Sequence, residues 1–166
     1  MLPGVIVKDI KKNPDERGSF REIFRDDWLD FNFGDKIVQA NMSYSYPGVI
    51  RAWHRHDRGQ VDYFVVIEGS IKICAYDNKH DSKTYGQLDE IIVSGEKITC
   101  VRIPGFYLHG FKSISDKPAT VIYLTTRLYN YENPDEERIA PDDPSIIDPR
   151  TKKPYRWDEW WRKKLF

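Results

Sequence analysis

Cysteine is scarce in this chain. Cys74 and Cys100 are the only two in 166 residues, too few to brace a domain of this size with disulfides. Both fall in strand-like stretches and read as buried free thiols. Long apolar runs are also missing. The longest, Tyr63–Ile67, has five residues, against the roughly 20 that a membrane helix requires. Neither sign of charge is in surplus: Lys plus Arg is 26 and Asp plus Glu is 26. A nucleic-acid binder or a membrane-surface module needs a basic excess, so neither partner is expected. Glycine-rich phosphate loops are absent, which leaves dinucleotide oxidoreductases and P-loop enzymes unsupported. The first residues, Met1-Leu2-Pro3-Gly4, show no basic segment followed by an apolar one, so a cytoplasmic protein is expected.

What is present suffices for a core: 40% of residues are hydrophobic and 14% aromatic. Short segments rich in Val, Ile, Tyr, Phe and Thr alternate with turn residues. They predict strands at 5–8, 20–24, 37–44, 49–54, 61–68, 70–77, 88–93, 98–103 and 120–126. Such spacing indicates an antiparallel sandwich or barrel. The only helical candidate before residue 130 is the short 26–30 stretch. Residues 131–154 hold five of the ten prolines and should wrap the surface as a loop. Beyond them, 155–163 can form a helix with Trp157, Trp160 and Trp161 on one face, for packing rather than carbohydrate stacking. The expectation is one domain over 1–166, its barrel core at about 5–130.

Three of the four histidines lie in two places, Gly48-Val-Ile-Arg51-Ala-Trp53-His54-Arg-His56 and Ile103-Pro104-Gly105-Phe106-Tyr107-Leu108-His109-Gly110. Alternation puts Ala52, His54 and His56 on one face of their strand. On the next strand Asp62 shares a face with Phe64 and Val66, where an acid requires a partner. His54, His56, Asp62 and His109 together suit a transition metal. Equally, His54 suits a metal-free general base whose neighbours bind substrate. Arg51 and His54, three apart, fall on opposite faces of a regular strand. A bulge near Ala52–Trp53, or a subunit interface, is needed to bring both into one pocket.

Five stretches resemble the dTDP-4-dehydrorhamnose 3,5-epimerase family of the cupin superfamily. They are Asp15-Glu-Arg-Gly-Ser-Phe-Arg-Glu22, Val38-Gln-Ala-Asn-Met-Ser43, Gly48-Val-Ile-Arg-Ala-Trp-His54, Ile103-Pro-Gly-Phe-Tyr-Leu-His-Gly-Phe111 and Tyr123-Leu-Thr-Thr-Arg-Leu-Tyr129. The resemblance runs over about residues 15–145, in the family's order. It implies an all-β cupin jelly-roll barrel, a homodimer without cofactor, acting on a nucleotide-linked 4-keto-6-deoxyhexose. His54 matches the base that removes the proton beside the ketone, and Tyr123 the acid that returns one on the opposite face. Arg17, Glu22, Gln39, Asn41, Arg51 and His109 match positions that hold the sugar nucleotide, and Asp62 lies among them. The chemistry needs no cofactor, because the ketone acidifies the neighbouring carbons. Arginines grip a diphosphate bidentately.

Three positions depart from that family. Gln60-Val61-Asp62 offers an acid where the epimerases carry a lysine that stabilises the enolate; loss of one such donor costs about 2.7–4 kcal/mol. The C-terminal aspartate that orients the histidine has only Asp143, Asp148 and Asp158 as substitutes. His56 creates a His-x-His pair and, with Gly48, Asp62 and Gly69, approaches the metal-binding cupin motif. A metal-dependent enzyme, and a non-catalytic sugar-nucleotide binder, therefore stand beside the epimerase reading. In the acidic run 133–138, Glu137 is the candidate substrate contact.

Overall fold

Alternating burial builds two facing antiparallel sheets, described here from a computed structural model for residues 1–158. The first sheet contains β1 (Ile6–Asp9), β4 (Gln39–Ser45), β6 (Val61–Glu68), β9 (Thr99–Pro104) and β11 (Ala119–Thr125), in the order β1-β9-β6-β11-β4. The second contains β5 (Ile50–Arg55), β7 (Ser70–Tyr76), β8 (Leu88–Ser94), β10 (Leu108–Ser113) and β12 (Glu137–Arg138), in the order β12-β5-β10-β7-β8. A small hairpin, β2 (Asn13–Asp15) with β3 (Gly18–Phe20), stands apart from both. The all-β expectation holds, but the barrel is not closed: both sheets end in free edges. No helix among the described residues is long and apolar enough to cross a membrane.

Every strand read from the sequence exists, mostly within two residues. The exception is 20–24, where pairing stops at Phe20. The short helix α1 (Leu29–Asn32) begins later than expected. β2, β10 and β12 were not expected. β10 begins right after a Pro-Gly turn and carries Gly110 in its middle, which masks its alternation.

Each sheet separates two apolar compartments, as a period-2 pattern requires. Phe64, Val66, Ile71, Ile73, Val101, Ile103, Phe111 and Val121 fill the space between the sheets. Tyr63, Val65, Cys100 and Leu124 face outward on the first sheet and are covered by Phe31 and its neighbours. Trp53, Cys74, Tyr76 and Leu108 face outward on the second, covered by Ile146, Tyr155 and Trp157. The proline-rich segment is therefore an ordered strap. Tyr155–Asp158 are not helical, and the remainder of the expected helix, with Trp160 and Trp161, lies outside the described residues. Trp157 packs as expected, 4.8 Å from Trp53 between ring centroids.

The strap positions the site. Trp53 exchanges both backbone hydrogen bonds with Ile139, at 3.1 Å each, and its indole donates to the Pro141 carbonyl at 3.3 Å. Opposite β10, His54 pairs with His109 but Arg51 pairs with Phe111, so three steps on β5 face two on β10. That is a bulge at Ala52–Trp53, where the peptide bond is cis. Trp53 packs into the outer cluster, and Ala52, beside it at the bulge, touches both that cluster and the cavity that His54 and His56 line. Arg51 and His54 both turn inward. Gly110 makes this possible, since a Cβ there would lie 2.4 Å from that of Ala52.

Candidate active site

Between the sheets the bulge opens a cavity of about 440 Å³, within the size range of small-molecule sites. Its floor comes from inward positions of three neighbouring strands: Gln39 and Asn41 on β4, Tyr123 and Thr125 on β11, Asp62 and Phe64 on β6. Cross-strand register sets Tyr123 against Asn41 on one side and Phe64 on the other. The opposite wall carries Arg51, His54 and His56, with Arg138 paired across from His54.

Asp62 is buried, and its carboxylate is engaged. His109 Nε2 lies 2.9 Å and His56 Nε2 3.5 Å from Oδ2, and Gln60 donates to Oδ1 at 2.7 Å. Burial opposes ionisation, but the hydrogen bonds from His109 and His56 outweigh it and hold the carboxyl below its ordinary range. Burial also opposes charge on His56, yet Asp62 raises it above the usual imidazole value. The acid at the family's lysine position is thus a neutralised hub, not a free negative charge facing the substrate.

His54 differs from the other two. Among the described residues its ring takes part in no hydrogen bond, and it lies 4.2 Å from the ring of His109 and 5.6 Å from that of His56. Burial, reinforced by His109, holds it well below the ordinary imidazole value, so its lone pair is available at neutral pH. The three substitute aspartates are engaged elsewhere: Asp143 with Ser145, Asp148 with Arg150, Asp158 with Lys112. Tyr123 is raised by burial and by Asp62, which keeps its hydroxyl protonated. A deprotonated imidazole and a protonated phenol therefore line one pocket.

Of the other expected residues, Gln39 bonds Asn41 at 2.8 Å, and Arg51 is anchored by Ser45 at 2.9 Å. Arg17 and Glu22 do not line this cavity. Arg17, exposed on the hairpin turn, pairs with Asp15 at 2.7 Å, and Glu22 pairs with Arg25 at 2.7 Å. Glu137 lies outside, bound to Arg55 at 2.6 Å, while Glu136 lines the pocket and holds Arg138 at 2.7 Å. Arg127, Arg138, Tyr129 and Tyr131 also line it and were not anticipated. Their signal was proximity to Tyr123 in sequence, obscured because the acidic, proline-rich segment reads as solvated.

An all-β scaffold here brings an imidazole, a phenol and three arginines to one cavity, groups that can move protons on an anionic ligand. The sequence profile of the dTDP-4-dehydrorhamnose 3,5-epimerase family matches residues 1–149, and the chain belongs to that family. A probable low-salt glycan biosynthesis epimerase of Haloferax volcanii is 45% identical over 138 residues, 83% of this chain and 87% of its own length. A spore coat polysaccharide biosynthesis protein of Bacillus subtilis is 40% identical over 146 residues, 88% of this chain and 94% of its own. The crystal structure of a Legionella pneumophila dTDP-6-deoxy-D-glucose-3,5-epimerase with dTDP-4-keto-L-rhamnose has a TM-score of 0.79 at 31% identity. That match covers 88% of this chain and 78% of the other.

Proposed function

We propose that this protein epimerises a dTDP-linked 4-keto-6-deoxyhexose beside its ketone, in the synthesis of a polysaccharide or glycan. The observation that carries the reading is the pairing, in one cavity, of a neutral His54 with a protonated Tyr123. His54 removes the proton beside the ketone, forming an enolate, and Tyr123 protonates the same carbon from the other side. Arg51, Arg127 and Arg138 give the cavity positive charge for the diphosphate and the developing oxyanion. Tyr129 and Tyr131, ring centroids 5.0 Å apart at the mouth, provide an aromatic surface for the base. Incubation with dTDP-4-keto-6-deoxyglucose, followed by NMR, tests this; recovery of unchanged substrate would sink it.

The protonation states fix the pH dependence. Because His54 is lowered, it stays deprotonated until the pH falls beneath the ordinary imidazole value of about 6.5. Because Tyr123 is raised, it stays protonated beyond about 10. These two groups therefore contribute no limb between those values, and the acid limb of His54 lies below the lower one. A limb centred at or above neutrality that persists in His56→Gln, whose own raised imidazole is then gone, would contradict the assignment of His54.

The protein is further proposed to act in the cytoplasm as a homodimer in which the β2–β3 hairpin carries Arg17, and the segment after it Glu22, to the partner's pocket. The supporting features are the hairpin's exposure, with Phe20 65% exposed, and the free edge of β4, where Met42 is 73% and Tyr44 54% exposed. Two buried free thiols accord with a reducing compartment. Mixing inactive Arg17→Ala and His54→Ala chains after joint refolding should restore about a quarter of the sites, if chains pair at random. No restoration would show that each pocket is complete within one chain.

A further inference from the structure

His56, His109 and Asp62 form a donor set that the acid–base reading does not require. With His54, their ligand atoms all lie within 4.8 Å of one another. Each of the two histidines has its Nδ1 turned away from the cluster onto a backbone carbonyl. His109 Nδ1 donates to the Tyr107 carbonyl at 2.8 Å, and His56 Nδ1 donates to that of Asp135. A carbonyl only accepts, so both Nδ1 atoms carry a proton and both Nε2 atoms are the inward faces. Those faces meet at one oxygen, Asp62 Oδ2, at 2.9 and 3.5 Å. Imidazoles anchored through one nitrogen, with the other aimed at a shared point, are how proteins hold transition metals.

We propose that His56, Asp62 and His109 hold a divalent first-row transition-metal ion, with His54 next to it. Four donors at about 2.0–2.1 Å in tetrahedral geometry stand roughly 3.4 Å apart, and the two separations bracket that value. A nitrogen-rich set with one carboxylate suits zinc, iron, nickel or cobalt rather than calcium or magnesium. His56 and Asp62 line the cavity, with His109 buried behind them, so an ion has a route in from the cavity side. Bound there, it would supply positive charge at the strand position where the family resemblance places a lysine.

The test is binding, read without reference to turnover. Protein purified free of chelators and dialysed metal-free is titrated with zinc(II) by calorimetry and with cobalt(II) by visible absorption. One ion per chain is expected, at micromolar affinity or tighter, weakened at least ~10-fold in His56→Ala and in Asp62→Asn. His56→Gln serves if the alanine variant does not fold by circular dichroism. His80→Ala, whose ring stacks on Tyr85 at 4.6 Å outside the cavity, should bind as the parent does. Failure of the folded parent to bind stoichiometrically would overturn the proposal, as would binding that the His56 and Asp62 variants leave unchanged. Epimerisation by the metal-free protein is scored separately. Turnover without binding removes this site alone, whereas binding without turnover removes the proposed function alone.

Discussion

Replacing His54 with alanine is expected to slow epimerisation by about 10²–10⁴-fold, the usual contribution of a positioned general base. That corresponds to roughly 2.7–5.5 kcal/mol of barrier. Substrate affinity should change only a few-fold, because the diphosphate and base are held by the arginines and tyrosines elsewhere in the cavity. The ring is half-buried and takes part in no hydrogen bond among the described residues, so its loss leaves no buried polar partner stranded. Stability should therefore change less than activity. Tyr123→Phe makes the contrasting case. It removes the returning acid but keeps the base, so proton exchange with retained configuration should survive while inverted product disappears. Rate measurements by NMR alongside calorimetric binding separate the two roles. Equal loss of exchange in both variants would contradict the assignment.

Trp53→Ala is expected to produce the largest loss of stability. The indole is 1% exposed and is gripped by Tyr155 at 5.7 Å and Trp157 at 4.8 Å between ring centroids. Truncating a buried tryptophan costs about 3–5 kcal/mol, which for a chain of this length lowers the melting temperature by roughly 10 °C or more. The consequence reaches the chemistry, because Trp53 adjoins His54 and occupies the outward side of the bulge. Without it, nothing of comparable volume anchors the bulge on the outer side and so holds Arg51 and His54 in the cavity wall. Activity should therefore fall even well below the melting point. Thermal unfolding by circular dichroism, paired with activity in the cold, checks both halves. Full cold activity in the variant would show that the bulge does not depend on this anchor.

The two sheets were legible because their strands alternate plainly. Asp62, Phe64 and Val66 against Tyr63, Val65 and Ile67 is a period-2 pattern that only a sheet with both faces covered explains. The need for a bulge at Ala52–Trp53 was also readable, from the three-residue spacing of Arg51 and His54. What escaped was whatever depends on distant partners. β10 carries His109-Gly110, and the glycine reads as a turn until Ala52 is found against it. The strap's acids and prolines read as solvated, although Asp135 accepts the Arg58 backbone N–H at 3.0 Å and its carbonyl holds His56. The departure at Asp62 was visible as an isolated charge. Its meaning was not, because His56 is six residues away in sequence and His109 is 47.

The central claim is that His54 and Tyr123 move protons at carbons beside a ketone. Solvent-deuterium incorporation tests it most directly. The parent protein is incubated in D₂O with dTDP-4-keto-6-deoxyglucose, and the sugar is followed by NMR and mass. The account predicts deuterium at carbon 3, carbon 5 or both, abolished by His54→Ala. Tight binding of the sugar nucleotide with no deuterium at either carbon would contradict it.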